Sequence, residues 1–337
     1  MKRSATVACL AGAGTAPELI AEATLALAAV ARVHALAVED VHPPFGAAAV
    51  ARSGQAFPPA TRAAVLAADA VLVAGADDPA LGEVLAELDL RARVTRVRFG
   101  HADVAFVAPY GAGDGEWALE AAFRIAEVRT LRLAVVGDDA WLELAAAVAQ
   151  AHEHVRVERL SPQVAVPLAA RDASRFDVVA VAERWAEPTT ELASAPARAR
   201  VAAHGLLAQH GPSLFMPLPA DGSGGGGRAV AGRRSSGLAG HGVVDPSSML
   251  LATALCLEYG LGEAGAAATL AGAVSAALVD GPRTPDRLRR GLAASSREFT
   301  SHVLASFQLS LRNSEFWRPP AALEASSGRR AALRADA

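Results

Sequence analysis

Of 337 residues, two are cysteine and two are tyrosine, Lys2 is the only lysine, and aromatic residues make up 5% of the chain. Cys9 and Cys256 stand far apart inside apolar runs. That pattern excludes a disulfide framework or a cysteine zinc site and reads as two reduced core thiols. Positive charge is not in excess: 32 Lys and Arg face 35 Asp and Glu, for a net charge of −3. A nucleic-acid binder needs a basic face to displace counterions, so that class is set aside. No apolar run reaches the ~18 residues of a membrane-spanning helix. The opening Met1-Lys2-Arg3 and Ser4 to Ala16 have the outline of a short signal peptide. Pro17 and Glu18 then follow in a helical pattern, so the segment reads as a buried first strand of a cytoplasmic protein.

What is abundant is small and apolar. Hydrophobic residues make up 52% of the chain, mostly Ala and Val, which suits helices lying closely on sheets. Residues 5–10, 33–38, 70–74, 103–108, 131–136 and 176–181 read as strands. Residues 17–31, 60–68, 81–88, 117–128, 141–151 and 187–203 read as helices. Strands alternating with helices predict an α/β fold with a largely parallel sheet covered on both faces. Residues 220–240, with Ser223-Gly224-Gly225-Gly226-Gly227-Arg228, break the rhythm and read as a flexible Gly-rich insertion. Three more helices are expected over 247–259, 264–278 and 299–309, with a frayed tail from Pro319.

Several stretches, in chain order, carry a resemblance. They are Gly12-Ala13-Gly14-Thr15-Ala16-Pro17-Glu18, Ala67-Ala68-Asp69-Ala70-Val71-Leu72-Val73, Glu87-Leu88-Asp89-Leu90 and Arg175-Phe176-Asp177-Val178-Val179 with Glu187 and Glu191-Leu192-Ala193-Ser194. Ala239-Gly240-His241-Gly242-Val243-Val244-Asp245-Pro246 and Ser296-Arg297-Glu298-Phe299-Thr300-Ser301-His302-Val303-Leu304 complete the set. Together, over residues 5 to 305, they resemble the isopropylmalate/isocitrate dehydrogenase family of β-decarboxylating hydroxyacid dehydrogenases. The resemblance implies an isopropylmalate-dehydrogenase-like α/β fold, with two domains sharing a continuous mixed sheet flanked by helices. Residues 1–98 plus 214–337 would form the first, cofactor-type domain and 99–213 the second, dimer-type domain. It also implies Mg²⁺ or Mn²⁺, a 2-hydroxy acid and NAD(P).

That chemistry needs arginines on the substrate carboxylates, carboxylates on a metal, and a lysine and a tyrosine to move protons. The family's arginine positions fall on Leu85, Thr95 and Ala108, with Arg93 and Arg96 nearby. Its tyrosine falls near Gly115, leaving Tyr110 as the local phenol. Its lysine falls on Asp138, and no other lysine stands in reserve. Tyr110 and Asp138 are therefore the candidate catalytic residues. Glu187 and Glu191 stand where the family has two metal-binding aspartates, and their i, i+4 spacing projects both carboxylates from one helix face. A hard cation takes such oxygen ligands. The third carboxylate position holds Gln163. Gly240, Gly242 and Asp245 are the candidate cofactor-binding residues. The adenine-contacting histidine position holds Pro219, so weak NAD(P) binding is expected.

Two functions follow. The first is a non-catalytic relative with a degenerate site, regulatory, structural or small-molecule-binding, working as a homodimer or beside a related subunit. The second is a metal-dependent oxidoreductase or decarboxylase on an altered 2-hydroxy acid in a specialised pathway. The family's intersubunit arm is essentially missing after Gly115. Any dimer is therefore expected to rest on helix packing through residues 141–151 and 187–203, with neither nucleic acid nor membrane as partner.

Overall fold

The computed structural model describes residues 4–75, 78–99, 102–111, 115–194, 201–218, 237–287 and 293–314. In chain order the elements are β1 (Ala5–Ala11), α1 (Ala16–Val33), β2 (Val38–Val41), α2 (Gly46–Ser53), α3 (Pro59–Ala67), β3 (Ala70–Ala74) and α4 (Leu81–Glu87). There follow β4 (Leu90–Phe99), β5 (Ala102–Pro109), α5 (Gly115–Glu127), β6 (Arg132–Val136), α6 (Asp139–Val148), β7 (Arg156–Leu160) and α7 (Pro162–Arg171). The chain closes with β8 (Val178–Val181), α8 (Glu183–Ser194), β9 (Val201–Ala208), β10 (Ser213–Leu218), α9 (Ser247–Leu255), α10 (Ala264–Asp280) and α11 (Ser296–Ser314). A π-helical turn, Cys256–Gly260, extends α9.

All ten strands form one continuous mixed sheet, in the order β2-β1-β3-β10-β9-β4-β5-β8-β6-β7. The outer strands pair in parallel. The three central pairings, β10 with β9, β9 with β4 and β4 with β5, are antiparallel. The fully buried runs of β3 and β8 are uninterrupted Ala, Val and Leu, as strands covered on both faces require.

Two expected elements are corrected. Residues 33–38 are not a strand: α1 runs on to Val33, the chain turns through Ala35 at φ 50°, and β2 begins only at Val38. Residues 187–203 are not one helix: α8 ends at Ser194, and 201–203 open β9. Most of the Gly-rich stretch, 220–236, lies outside the described residues, while 237–240 form a turn. β5 ends at Pro109 and α5 starts at Gly115, which leaves little chain for an arm.

Neighbours in register share a face of a sheet, and alternate residues along a strand face opposite ways. On one face a single apolar cluster runs unbroken from β1 to β6, through Val7, Cys9, Ala92, Val94, Ala105, Val107, Val178 and Leu133. α1, α5, α9 and α10 cover it with Ala-rich sides. Phe215 fits this layer because two glycines make room. A Cβ on Gly260 would stand 2.9 Å from its ring, and one on Gly205 would stand 3.0 Å away. The opposite face is divided into two smaller clusters. One gathers Leu10, Val71, Leu206 and Met216 under Phe45, Val65 and Val84. The other gathers Val97, Phe106, Ala108 and Val179 under Ala165 and Ala169.

A buried charge network crosses the middle of the unbroken layer. Arg96 is 6% exposed. It donates two hydrogen bonds to Asp103, at 2.8 and 2.7 Å, and one to Glu258 of the π turn at 2.7 Å. Arg98 pairs with Asp103 at 2.9 Å, and Arg129 pairs with Asp177 at 2.6 Å. The guanidinium of Arg96 holds the Asp103 carboxylate far below the usual carboxylate range, against the opposing effect of burial.

At the far end of the second lobe, His152 closes on α5. Its two ring nitrogens meet Glu127 at 2.7 Å and Glu120 at 2.9 Å, and the ring stacks on Phe123 with centroids 4.9 Å apart. Burial alone lowers the affinity of His152 for a proton, but its hydrogen bonds to Glu127 and Glu120 outweigh that, and its pKa is raised. A raised histidine stabilises the fold fully below its unfolded pKa of ~6.5 and loses that contribution as pH climbs through the folded value. The expected result is a melting temperature that falls in the native protein as pH rises above ~6.5 and through the raised folded value. In His152→Asn this fall should be shallower; an identical slope in the two proteins would remove His152 from the account.

Candidate functional site

The polar gap between the two small clusters is the candidate site. Register sets it out. Arg93 lies opposite Leu206 on one side and Ala108 on the other. Thr95 lies opposite His204 and Phe106, and His204 lies opposite Met216. Arg93, Thr95 and His204 thus stand on the divided face of the sheet, between residues of both clusters. Tyr110 follows β5 at the same end. It is half-buried, and its backbone N–H donates to the Arg91 carbonyl at 2.9 Å. From α8, Glu187 brings its carboxylate within 3.8 Å of the Arg93 guanidinium.

The site is cationic and partly buried. Thr95 Oγ1 lies 2.9 Å from His204 Nδ1. Burial, helped by the nearby Arg93 charge, pushes the His204 pKa down to about 3, so the ring is neutral at ordinary pH. Burial also raises the Tyr110 pKa, with Arg93 opposing. Among the described residues a guanidinium, a neutral imidazole and a phenol therefore stand on this face, with the exposed Glu187 carboxylate at the rim.

The other candidate residues are already engaged. Asp138 caps α6 by accepting from the Trp141 N–H at 3.2 Å, and it pairs with Arg184 at 2.8 Å. The N–H groups of Gly240 and Gly242, both at positive φ, donate to the Glu18 carboxylate on α1, the latter at 3.1 Å. Asp245 accepts from the Ser247 N–H at 2.7 Å and forms an ion pair with Arg287. These N–H groups and this carboxylate spend their capacity inside the fold, so the described residues do not fit NAD(P) at this loop. Pro219 lies outside them.

A divalent cation fares no better. Glu187 is largely solvent-exposed and beside Arg93, and Gln163 is exposed at the start of α7. The side chain of Glu191 lies outside the described residues. Among the described residues, no three His, Cys, Asp or Glu side chains gather closely enough to hold a metal. The matched arginine positions are packed or satisfied in place. Leu85 packs against the smaller first-lobe cluster, Thr95 is bonded to His204, and Ala108 is buried.

Sequence reasoning missed His204 and the Glu18 latch. Spacing among histidines offered no signal for His204, because its partner Thr95 comes from a strand 109 positions away. The Glu18 contact joins residues 222 apart, and only the fold closes that distance.

A continuous ten-stranded mixed sheet, covered by one unbroken helical layer on one face and divided into two clusters on the other, defines an isopropylmalate-dehydrogenase-like α/β fold. Solved structures share it. A β-decarboxylating dehydrogenase from Thermococcus kodakarensis superposes with a TM-score of 0.76 at 20% identity, covering 94% of this chain and 100% of that one. Isocitrate dehydrogenase from Methylococcus capsulatus gives 0.70 at 17% identity, covering 90% of this chain and 99% of that one. The sequence pattern of isocitrate/isopropylmalate dehydrogenase matches residues 231–303. A 3-isopropylmalate dehydrogenase of Anaeromyxobacter dehalogenans is 26% identical, over 84% of this chain and 94% of its own length. That of a Synechococcus strain is 25% identical, over 85% and 94%. The chain is thus similar, at low identity, to the isocitrate/isopropylmalate dehydrogenase family. Among the described residues no helix is long and apolar enough to cross a membrane.

Proposed function

We propose that this chain is a non-catalytic member of the family that holds a small carboxylate ligand in the gap beside Arg93. Oxidative decarboxylation is absent from this reading. The observation that carries it is Asp138. At the matched lysine position stands a carboxylate that caps a helix and pairs with Arg184, and Lys2 is the chain's only lysine. Arg93 remains to bind one carboxylate by its planar fork. Thr95 and the neutral His204 beside it offer hydrogen bonds without a second charge. Residues 1–98 with 214–337 and residues 99–213 act as the two lobes. The working unit is a homodimer, or a heteromer with a related subunit, packed through α6 and α8. Two buried free thiols suit a reducing cytoplasm.

A second reading rests on Tyr110, a half-buried phenol within the field of Arg93. It makes the protein a metal-dependent oxidoreductase or decarboxylase of an altered 2-hydroxy acid, with Tyr110 moving the proton and Glu187 and Glu191 attracting Mg²⁺ or Mn²⁺ weakly.

Ligands that bind only the native state raise stability by mass action, by about 2.7 kcal/mol at a hundred times Kd. Malate and isopropylmalate at millimolar concentration are expected to raise the melting temperature of the native protein but not of Arg93→Gln. Addition of Mn²⁺ should change neither curve. If no carboxylate shifts the native protein, the ligand-binding reading fails. A Mn²⁺-dependent shift that vanishes in Glu187→Gln/Glu191→Gln would favour the second reading.

A further inference from the structure

On the second lobe, at the starts of β6, β7 and β8, lies a recess of about 160 Å³ that the proposed ligand site does not use. β5, β8 and β6 run parallel, so this recess, at the strand starts, and Tyr110, which follows the end of β5, sit at opposite ends of the strands. Three arginines line the recess: Arg132, Arg156 and Arg175. Arg132 and Arg156 are register partners on adjacent strands. Neighbouring strands lie about 4.8 Å apart, so two like charges share one face side by side. Such a pair is destabilising unless something neutralises it.

The acids of the recess do not do so. Glu158 forms an ion pair with Arg175. Asp177 accepts from Arg129 at 2.6 Å and from the Thr130 hydroxyl at 2.5 Å. Arg132 gives one N–H to the Arg175 carbonyl at 3.3 Å. Among the described residues no carboxylate pairs with Arg132 or Arg156. Two guanidinium forks with no counter-charge therefore open on a small hollow.

We propose that this recess binds a phosphate group through Arg132 and Arg156, with Arg175 at its margin. Two charges match a phosphate dianion, and each fork presents paired N–H donors to its oxygens. The size points the same way. Pockets for drug-sized molecules measure about 300–1,000 Å³, so this one has room for a phosphate with little attached. Its source is free phosphate or a small phosphomonoester.

The test is thermal unfolding of the full chain at pH 7 in inorganic phosphate, glycerol phosphate or chloride, at matched ionic strength. Phosphate and glycerol phosphate are expected to raise the melting temperature above that in chloride. Whichever acts at the lower concentration identifies the source. In Arg132→Gln/Arg156→Gln the concentration needed should rise at least tenfold. Arg132→Lys/Arg156→Lys, which keeps the charges but loses the forks, should show a weakened response. Arg93→Gln should respond as the native protein does, which separates this recess from the gap. An equal rise in chloride, or a phosphate response preserved in the double Gln variant, overturns the proposal. So does no response at all, which would leave the arginines as charges guarding the edge strand β7.

Discussion

Incubated with isopropylmalate or isocitrate, Mn²⁺ and NAD(P), the purified protein is expected to form NAD(P)H at least a thousandfold more slowly than the ~10 s⁻¹ of a typical enzyme. Isopropylmalate carries two carboxylates and isocitrate three. Among the described residues the gap offers Arg93, with Glu187 3.8 Å from its guanidinium. A carboxylate left unpaired in a closed cleft costs several kcal/mol. Proton transfer by a positioned group contributes about 10²–10⁴-fold. The matched lysine position holds Asp138, whose negative charge opposes a developing enolate and whose oxygens already serve the α6 N-terminus. The backbone N–H groups of Gly240 and Gly242 are turned toward Glu18, not toward an incoming cofactor. Steady-state assay by absorbance at saturating substrate checks this directly. Turnover within tenfold of ~10 s⁻¹ would mean that other residues supply the arginine and lysine functions.

The largest stability effect is expected at Arg96. Replacing it with Met keeps much of the volume but leaves Glu258, 13% exposed, without its cation. Asp103 retains Arg98 at 2.9 Å, so it is not stranded. Removing one partner of a buried ion pair typically costs about 3–5 kcal/mol, because the remaining charge stays desolvated. Arg96→Met should lose that much by urea denaturation. Adding Glu258→Leu should return part of it, since the stranded carboxylate is then gone. A loss below about 1 kcal/mol in the single variant, or no recovery in the double, would show that water reaches Glu258 and that the network is not buried in solution. Asp103 is held ionised by Arg96 against the opposing effect of burial, so its contribution to stability is present at neutral pH and lost only as pH falls toward its depressed value.

Strands β1, β3, β5, β6 and β8 were legible in the sequence; β4, β9 and β10 in the middle of the sheet and β2 and β7 at its edges were not. β3 and β8 announce themselves as unbroken apolar runs, and α1, α5 and α6 as amphipathic stretches. β4 does not, because arginines alternate onto both of its faces. Arg93 points to the gap, while Arg96 and Arg98 enter the buried network. A strand whose two faces both carry charge has no apolar period to read. β9 was absorbed into a helix because Val201-Ala202-Ala203 suits either state, and pairing between β4 and β10 decides it. With β9 misread, His204 had no neighbours. β7 is a polar edge strand, and α7 carries Pro167 in its interior, so neither shows a clean pattern. The candidate residues were found by motif, which gives position along the chain. It is silent on whether a carboxylate or an N–H group is already spent on its own fold.

The unbroken apolar layer beneath both lobes bears on inheritance. Its members come from β1, β3, β4, β5, β6, β8 and β9 and from helices at both ends of the chain. Residues 99–213 therefore own only part of the interior they rest on, and cutting them out would expose the rest. A lineage working with this architecture has no detachable module to lend or borrow. What it can vary freely is the divided face, where Arg93, Thr95 and His204 border two separate cores and a change in one lobe need not be answered in the other.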